Sequence, residues 1–387
     1  MGVIASLLAV RIRLPALVVF LAIGMAIGSD GAGWLDFDDY ELARLIGSIA
    51  LALILFEGGL AAGFHEIRPA LRPAIGLALV GTAVTAAITG LAATWLFDFP
   101  LLEGLLLGAI LSPTDGAAVF AAMRGSKLPR RLVRTLEGEA GFNDPVAVLL
   151  VLVMIELIQQ PSYNGLDVGV FFLQELVIGA AVGVALGWLA IKGLRRASAA
   201  PDGLQLVGSF ATAALAFGLA GTLGGSGFLA VYIAGLMLGA TPLPAKRSIV
   251  AFHDGLASVA EMGMFFTLGL LVFPSQLGDV FIEGTLLAFV VAFLARPVAA
   301  ALATSVDRFS GAERLVLGWA GLRGAVPVVL ATFPVIAGIP HSLEFFNIVF
   351  FAVLVSTAFQ GATLEALAKA LGVGRPRPGE AGEPASA

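Results

Sequence analysis

Three short segments put ionisable and hydrogen-bonding side chains among apolar neighbours. Glu139-Ala-Gly-Phe-Asn143-Asp144-Pro145 leads straight into Val146 to Leu157, a mostly apolar run. Ser112-Pro113-Thr114-Asp115-Gly116 interrupts a second apolar stretch, and Gly321-Leu-Arg323-Gly324-Ala-Val-Pro327 a third. Glu57 stands alone in Leu53-Ile-Leu-Phe-Glu57-Gly-Gly. A charge at bilayer depth costs about 3 kcal/mol or more, so such groups usually line a path for ions or protons, or pair with one another. Glu139 and Asn143, four apart, share a helix face. Asp144 is turned about 140° from Glu139 on a 3.6-residue helix, so the two carboxylates are expected to do different jobs.

One carboxylate can hold either a proton or a metal cation. That competition suffices for exchange if the site faces each side of the membrane in turn. An alkali cation also needs oxygens to replace its water. The Thr114 and Ser112 hydroxyls, carbonyls freed near Thr114 and the Asn143 side-chain oxygen are candidates, and an oxygen-only set suits hard cations. Asp144 is the candidate ion carrier, beside Asn143 and just before Pro145, a residue that fits the first turn of a helix segment. Glu139 and Arg323 form a candidate structural salt bridge. Glu57 either bonds a neighbouring helix or lines the ion path. Glu261, near the inner end of its span, reads as structural, and Arg296 has no transport role.

The elements that must position these groups are membrane helices. Of 387 residues, 59% are hydrophobic and only 13% charged, half the usual share for a soluble domain. Cys is absent, which removes disulfides, thiolate catalysis and Cys metal sites. Spans of roughly 20 apolar residues are expected at 1–10 (short), 14–28, 42–62, 70–97, 101–123, 130–158, 169–194, 203–222, 226–240, 252–273, 279–303, 312–338 and 343–371, thirteen in all. Basic residues cluster in alternate loops, among them Arg68 and Arg72; Arg130, Arg131 and Arg134; Lys192, Arg195 and Arg196; and Arg308 with Arg314. The opposite loops carry acids such as Asp36, Asp38, Asp98, Asp167 and Asp279. Basic loops face the cytoplasm, so the N-terminus is expected outside and the C-terminus inside. The opening segment lacks the features of a cleaved signal peptide and reads as a shortened first helix.

Gly24-xxx-Gly28 and Gly235-xxx-Gly239 occupy the second place of two six-span units, 1–158 and 203–371, and the two broken spans occupy the fifth. The span at 169–194 links the units and inverts the second, an arrangement common in secondary transporters. The fold class is therefore an all-α polytopic membrane protein with two inverted six-helix repeats and two broken, crossing helices. Residues 1–371 form the transporter domain, and 372–387, rich in Pro, Gly, Glu and Ala, read as a disordered cytoplasmic tail.

The motifs Ser112-Pro-Thr-Asp115-Gly-Ala-Ala-Val-Phe, Glu139-xxx-Asn143-Asp144-Pro145 and Gly321-Leu-Arg323-Gly324-Ala-Val resemble the NhaP-type monovalent cation:proton antiporters. Phe20-Leu-Ala-Ile-Gly24-Met and Ala50-Leu-Ala-Leu-Ile-Leu-Phe-Glu57-Gly-Gly-Leu look like the NhaP/CvrA potassium/proton branch. The resemblance covers about residues 10–371. It implies thirteen helices, a homodimer and elevator-like alternating access in a bacterial inner membrane. It implies that Asp144, beside Asn143, binds the transported H⁺ and K⁺ or Na⁺, with Asp115 and the Thr114 carbonyl at the crossing of the broken helices. It pairs Glu139 with Arg323, and it associates Asn-Asp with electroneutral exchange. No cofactor, nucleic acid or soluble regulatory domain is implied for this chain. Ala140 departs from the pattern, since relatives commonly have Ser there, and the ion's ligand set is the property this affects.

Two rivals belong to other classes. Gly224-Gly-Ser226-Gly227 matches the signature of a rhomboid-type intramembrane protease, which would need a membrane-buried histidine as base. His65, His253 and His341 all fall near loops. A passive cation channel also tolerates buried acids, but it needs no competition between cation and proton at one carboxylate. The reading is a transporter, not an enzyme.

Overall fold

The computed structural model describes residues 16–64, 68–116, 128–160, 165–197 and 201–373. Helices account for its regular structure, with no strand among the described residues. In chain order they are α1 (Ala16–Ile27), α2 (Tyr40–Ala62), α3 (Arg68–Phe97), α4 (Leu101–Ile110), α5 (Arg130–Gln159), α6 (Gly165–Arg196), α7 (Asp202–Thr222), α8 (Gly227–Ala240), α9 (Lys246–Leu270), α10 (Phe281–Ala303), α11 (Gly311–Trp319), α12 (Ala325–Ile336) and α13 (Ser342–Ala370). α11 and α12 are the halves of one broken span. Every expected span from 14–28 onward therefore has its helix. The expected first span, the 117–123 end of the fifth and the tail from 374 lie outside the described residues, as do His65 and Glu66.

Local chemistry sets the ends and breaks. Asp39 caps α2 by accepting from the Leu42 N–H at 2.8 Å, and Ser310 with Glu313 forms a capping box on α11. α4 stops where Pro113 removes a donor and disfavours helix at Ser112. α11 ends at Trp319, just before the unwound Gly321–Gly324 stretch.

The helices pack as two bundles. α2, α6, α7, α8 and α9 lie against one another, with α1 on α9, while α3, α4, α5 and α10–α13 form the other set. α5 crosses to α8 and α2, and α12 to α2 and α9. In α5, 61% of the most apolar window is buried, against 17% in α6. α5 is thus shielded enough to carry charge, whereas Leu173, Val177 and Leu189 of α6 are open to lipid.

The paired glycine motifs explain the closest contacts. A Cβ on Gly24 would strike the Phe266 carbonyl and Gly269 of α9, and one on Gly235 would come 2.5 Å from the Phe56 carbonyl of α2. The contact of α1 with α9 and that of α8 with α2 are the pair that an inverted repeat interchanges. The π-helical turns at Leu77–Gly81 in α3 and Val291–Ala295 in α10 fall on corresponding spans as well. Outside the spans, the Ser275 N–H donates to Asp30 at 2.7 Å, tying the loop after α1 to the loop after α9 and holding the Asp30 carboxyl below its usual range.

Gly235→Ala is expected to lower the thermal midpoint in detergent, through a steric cost of roughly 1–3 kcal/mol. Gly218→Ala on α7, where a Cβ meets nothing within 4 Å, is the control. Equal midpoints for the two variants would contradict close packing of α8 on α2.

Candidate functional site: a carboxylate cavity at two helix breaks

The two breaks bond directly to each other. The Asp115 N–H donates to the Leu322 carbonyl at 2.8 Å. Arg323 Nη1 donates to the carbonyls of Ser112 and Pro113 at 2.9 and 2.6 Å. Those carbonyls have lost their helical donors, and an unsatisfied carbonyl inside a bilayer is costly. The Arg323 backbone is held by α13: its N–H donates to Ser356 Oγ at 3.0 Å, and its carbonyl accepts from Thr357 Oγ1 at 3.0 Å. Both hydroxyls lie in a π-helical turn, Ser356–Gln360. Gly324 is required here, since a Cβ would run into the Asp115 carboxylate.

This geometry corrects one expectation. Glu139 pairs with Arg296, not Arg323: Arg296 Nη1 lies 2.8 Å from Glu139 Oε1, with both side chains buried. Arg296 follows the π-turn of α10 and reaches α5 from that side. Arg323 is committed to the opened carbonyls. The pair lies within one bundle.

Asp144 faces elsewhere, as its helical phase requires. It lines a cavity of about 100 Å³ between the bundles, room for several waters or a partly hydrated ion. Asp115 and Glu137 share its side of the wall; Glu57 of α2 and Glu261 of α9 supply carboxylates from the other bundle. Asp144 is 5% exposed and its Oδ1 has no hydrogen-bond partner among the described residues. Asn143 is turned into the layer behind, where its Nδ2 donates to Thr114 Oγ1 at 2.5 Å, and its buried Oδ1 has no partner among the described residues. Thr114 and Ser112 do not line the cavity; the Ser112 hydroxyl donates to the Ala109 carbonyl at 2.7 Å. The structure thus joins Asp144, Asp115 and Glu57 at one space, with Asn143 and Thr114 bracing it. Sequence reasoning missed Glu137 and Tyr232 and placed Glu261 away from the site. For Glu261 a signal existed: an acid in a span rich in apolar residues.

Among the described residues, which do not include His65, the protease rival finds no dyad. Ser226 Oγ caps α8 by accepting from the Leu229 N–H at 3.2 Å. His253 lies 3.0 Å from Ser209, and His341 2.7 Å from Glu103.

The family described as sodium/hydrogen exchanger, transmembrane, matches residues 2–370. The chain belongs to that family. It is 41% identical over 373 residues to a K(+)/H(+) antiporter NhaP2 of Shewanella baltica, and 42% identical over 372 residues to the K(+)/H(+) antiporter NhaP of Alkalimonas amylolytica. Each match covers 95% of this chain but 64% of the relative, so the chain spans under two thirds of their length. The Na(+)/H(+) antiporter NhaH of Halobacillus dabanensis is 30% identical, with 93% and 92% of the two chains covered. In fold the chain is similar to the sodium proton antiporter MjNhaP1 of Methanocaldococcus jannaschii, at a TM-score of 0.83 and 24% identity, covering 96% and 95% of the two chains. It is thus a multi-pass integral membrane protein of an exchanger family.

Arg296→Met is expected to leave the buried Glu139 carboxyl without its ion-pair partner, at a cost of roughly 3–5 kcal/mol. The measurement is thermal unfolding in detergent. Arg296→Met with Glu139→Leu should regain most of the loss. A single variant as stable as wild type would show that the pair is not part of the scaffold.

Proposed function

We propose that this protein exchanges K⁺ or Na⁺ for H⁺ across the membrane, one for one, by competition of the two cations at Asp144. The observation that carries the reading is the buried Asp144 carboxylate, one oxygen without a partner, facing a cavity between two bundles at the crossing of two broken helices. Asn143 beside it is neutral, so the pair has a single charge to satisfy. One proton or one alkali cation does so, and the cycle moves no net charge. Arg323 and the Glu139–Arg296 pair hold the bundle that bears Asp144. Glu57 and Glu261 stand on the opposite bundle and face the same cavity. Sliding of one bundle against the other would turn the cavity from one face of the membrane to the other.

The names of the 41–42% identical relatives favour K⁺ as the cargo over Na⁺. The alternation of basic loops supports a cytoplasmic C-terminus, and the relatives' bacterial sources support a plasma-membrane location. The family resemblance supports a homodimer.

The test is cation-induced collapse of a pH gradient in everted vesicles with membrane potential clamped. Wild type should respond to K⁺ or Na⁺, and Asp144→Asn should lose the response. Because a protonated carboxylate cannot ligate a cation, the apparent KM for cation should rise as pH falls, by up to about tenfold per unit. Full activity in Asp144→Asn, or a KM unaffected by pH, would sink the competition. Large uncoupled currents would mark a channel instead.

A further inference from the structure

Tyr232 stands on the cavity wall with a phenol oxygen that no contact among the described residues accounts for. It projects from α8, is 2% exposed, and its phenol oxygen has no hydrogen-bond partner among the described residues. A buried hydroxyl without a partner costs roughly 1–3 kcal/mol, and phenylalanine would pack as well without that cost. The ring is clamped. It stands edge-on to Phe142 of α5, centroids 5.1 Å apart at 83°. Its hydroxyl end lies over Gly141, where a Cβ would collide with Cζ, Cε2 and the hydroxyl oxygen. Gly141 therefore makes room for this phenol.

Gly141 precedes Asp144 by three residues, on the same helix face and about 4.5 Å along the axis. Gly141, Ala140, Asp144 and Tyr232 all line the same cavity. Ala140 contributes only a methyl there. The phenol oxygen thus approaches the Asp144 side of the cavity from the opposite bundle, as a neutral donor among carboxylates.

We infer that Tyr232 is a specificity-determining residue of the cavity, its phenol oxygen serving as a neutral ligand to the alkali cation held at Asp144. This rests on the exchange reading above. Carboxylates attract any small cation, and their flexible ends can follow ions of different radius. An oxygen fixed by Phe142 and Gly141 cannot, and so sets a distance. An ion that fits that distance meets Asp144 and the phenol together, whereas one that does not is drawn to the carboxylate alone.

The experiment titrates K⁺, Na⁺ and Li⁺ on wild type and Tyr232→Phe in everted vesicles at fixed pH, and measures the thermal stabilisation each cation gives the purified proteins. Tyr232→Phe keeps the ring and should fold as well as wild type. Its KM for K⁺ should rise roughly threefold to tenfold, the effect of losing one contact of hydrogen-bond strength. The KM for Li⁺ and the maximal rate should change less, and stabilisation by K⁺ should shrink. A folded Tyr232→Phe with wild-type KM for all three cations overturns this inference and leaves exchange intact. A wild type that moves no protons for any of the three sinks the exchange reading and this inference with it.

Discussion

Opening a helix inside a bilayer strands backbone groups that water cannot reach, and the site grows out of the way this chain satisfies them. Two breaks cross, and each serves the other. Leu322 in one accepts from the Asp115 N–H in the other, while Arg323 reaches back to the carbonyls of Ser112 and Pro113. The remaining polar groups of the second break go to Ser356 and Thr357, in a stretch where α13 is itself wound as a π-turn. One guanidinium thus replaces the donors lost by two peptide units. The charge of Arg323 is spent on positioning, which leaves Asp144 without an arginine at its own oxygens.

α5 shows how one helix keeps scaffold and chemistry apart. Glu139 turns into its own bundle and meets Arg296. Asn143 lies one turn on along the same face and braces Thr114. Asp144, a single residue later, faces the space between bundles. The 100° step between adjacent helical residues is enough to put a structural amide and a cavity carboxylate side by side. Pro145 follows directly and removes one backbone donor from the same turn.

Much of this was legible in the chain itself. The alternation of basic and acidic loops fixed the spans, because misplacing one helix would scramble it. Ser112 to Gly116 and Gly321 to Pro327 announced breaks, because Pro and Gly cannot continue a helix unaided. Asn143-Asp144 stood out because polar residues at that depth need a reason. The partner of Glu139 was not legible. Both Arg296 and Arg323 lie in spans, and choosing between them requires knowing that opened carbonyls claim the second. Tyr232 was not legible as a site residue, and Glu261, visible as an acid in a span, was read as structural, for a related reason. They belong to the other bundle, and nothing in sequence spacing reports which helices face each other across a gap. Thr114 was legible as a member of the site, but not as a brace behind the cavity.

That division between bundles bears on coupling in the proposed cycle. Asp144 would move with its bundle past a wall that includes Leu51, Leu55 and Met264. A bare carboxylate taken through such a wall loses water without gaining a partner, at a cost of several kcal/mol. A carboxylate carrying H⁺ or an alkali cation has no net charge to desolvate. Both loaded forms would therefore cross at similar cost, while the empty form is held back. Tight exchange then needs no separate gate. It follows from placing Asp144 on the moving side of an apolar boundary, with Arg323 committed to the broken backbone and Arg296 to Glu139.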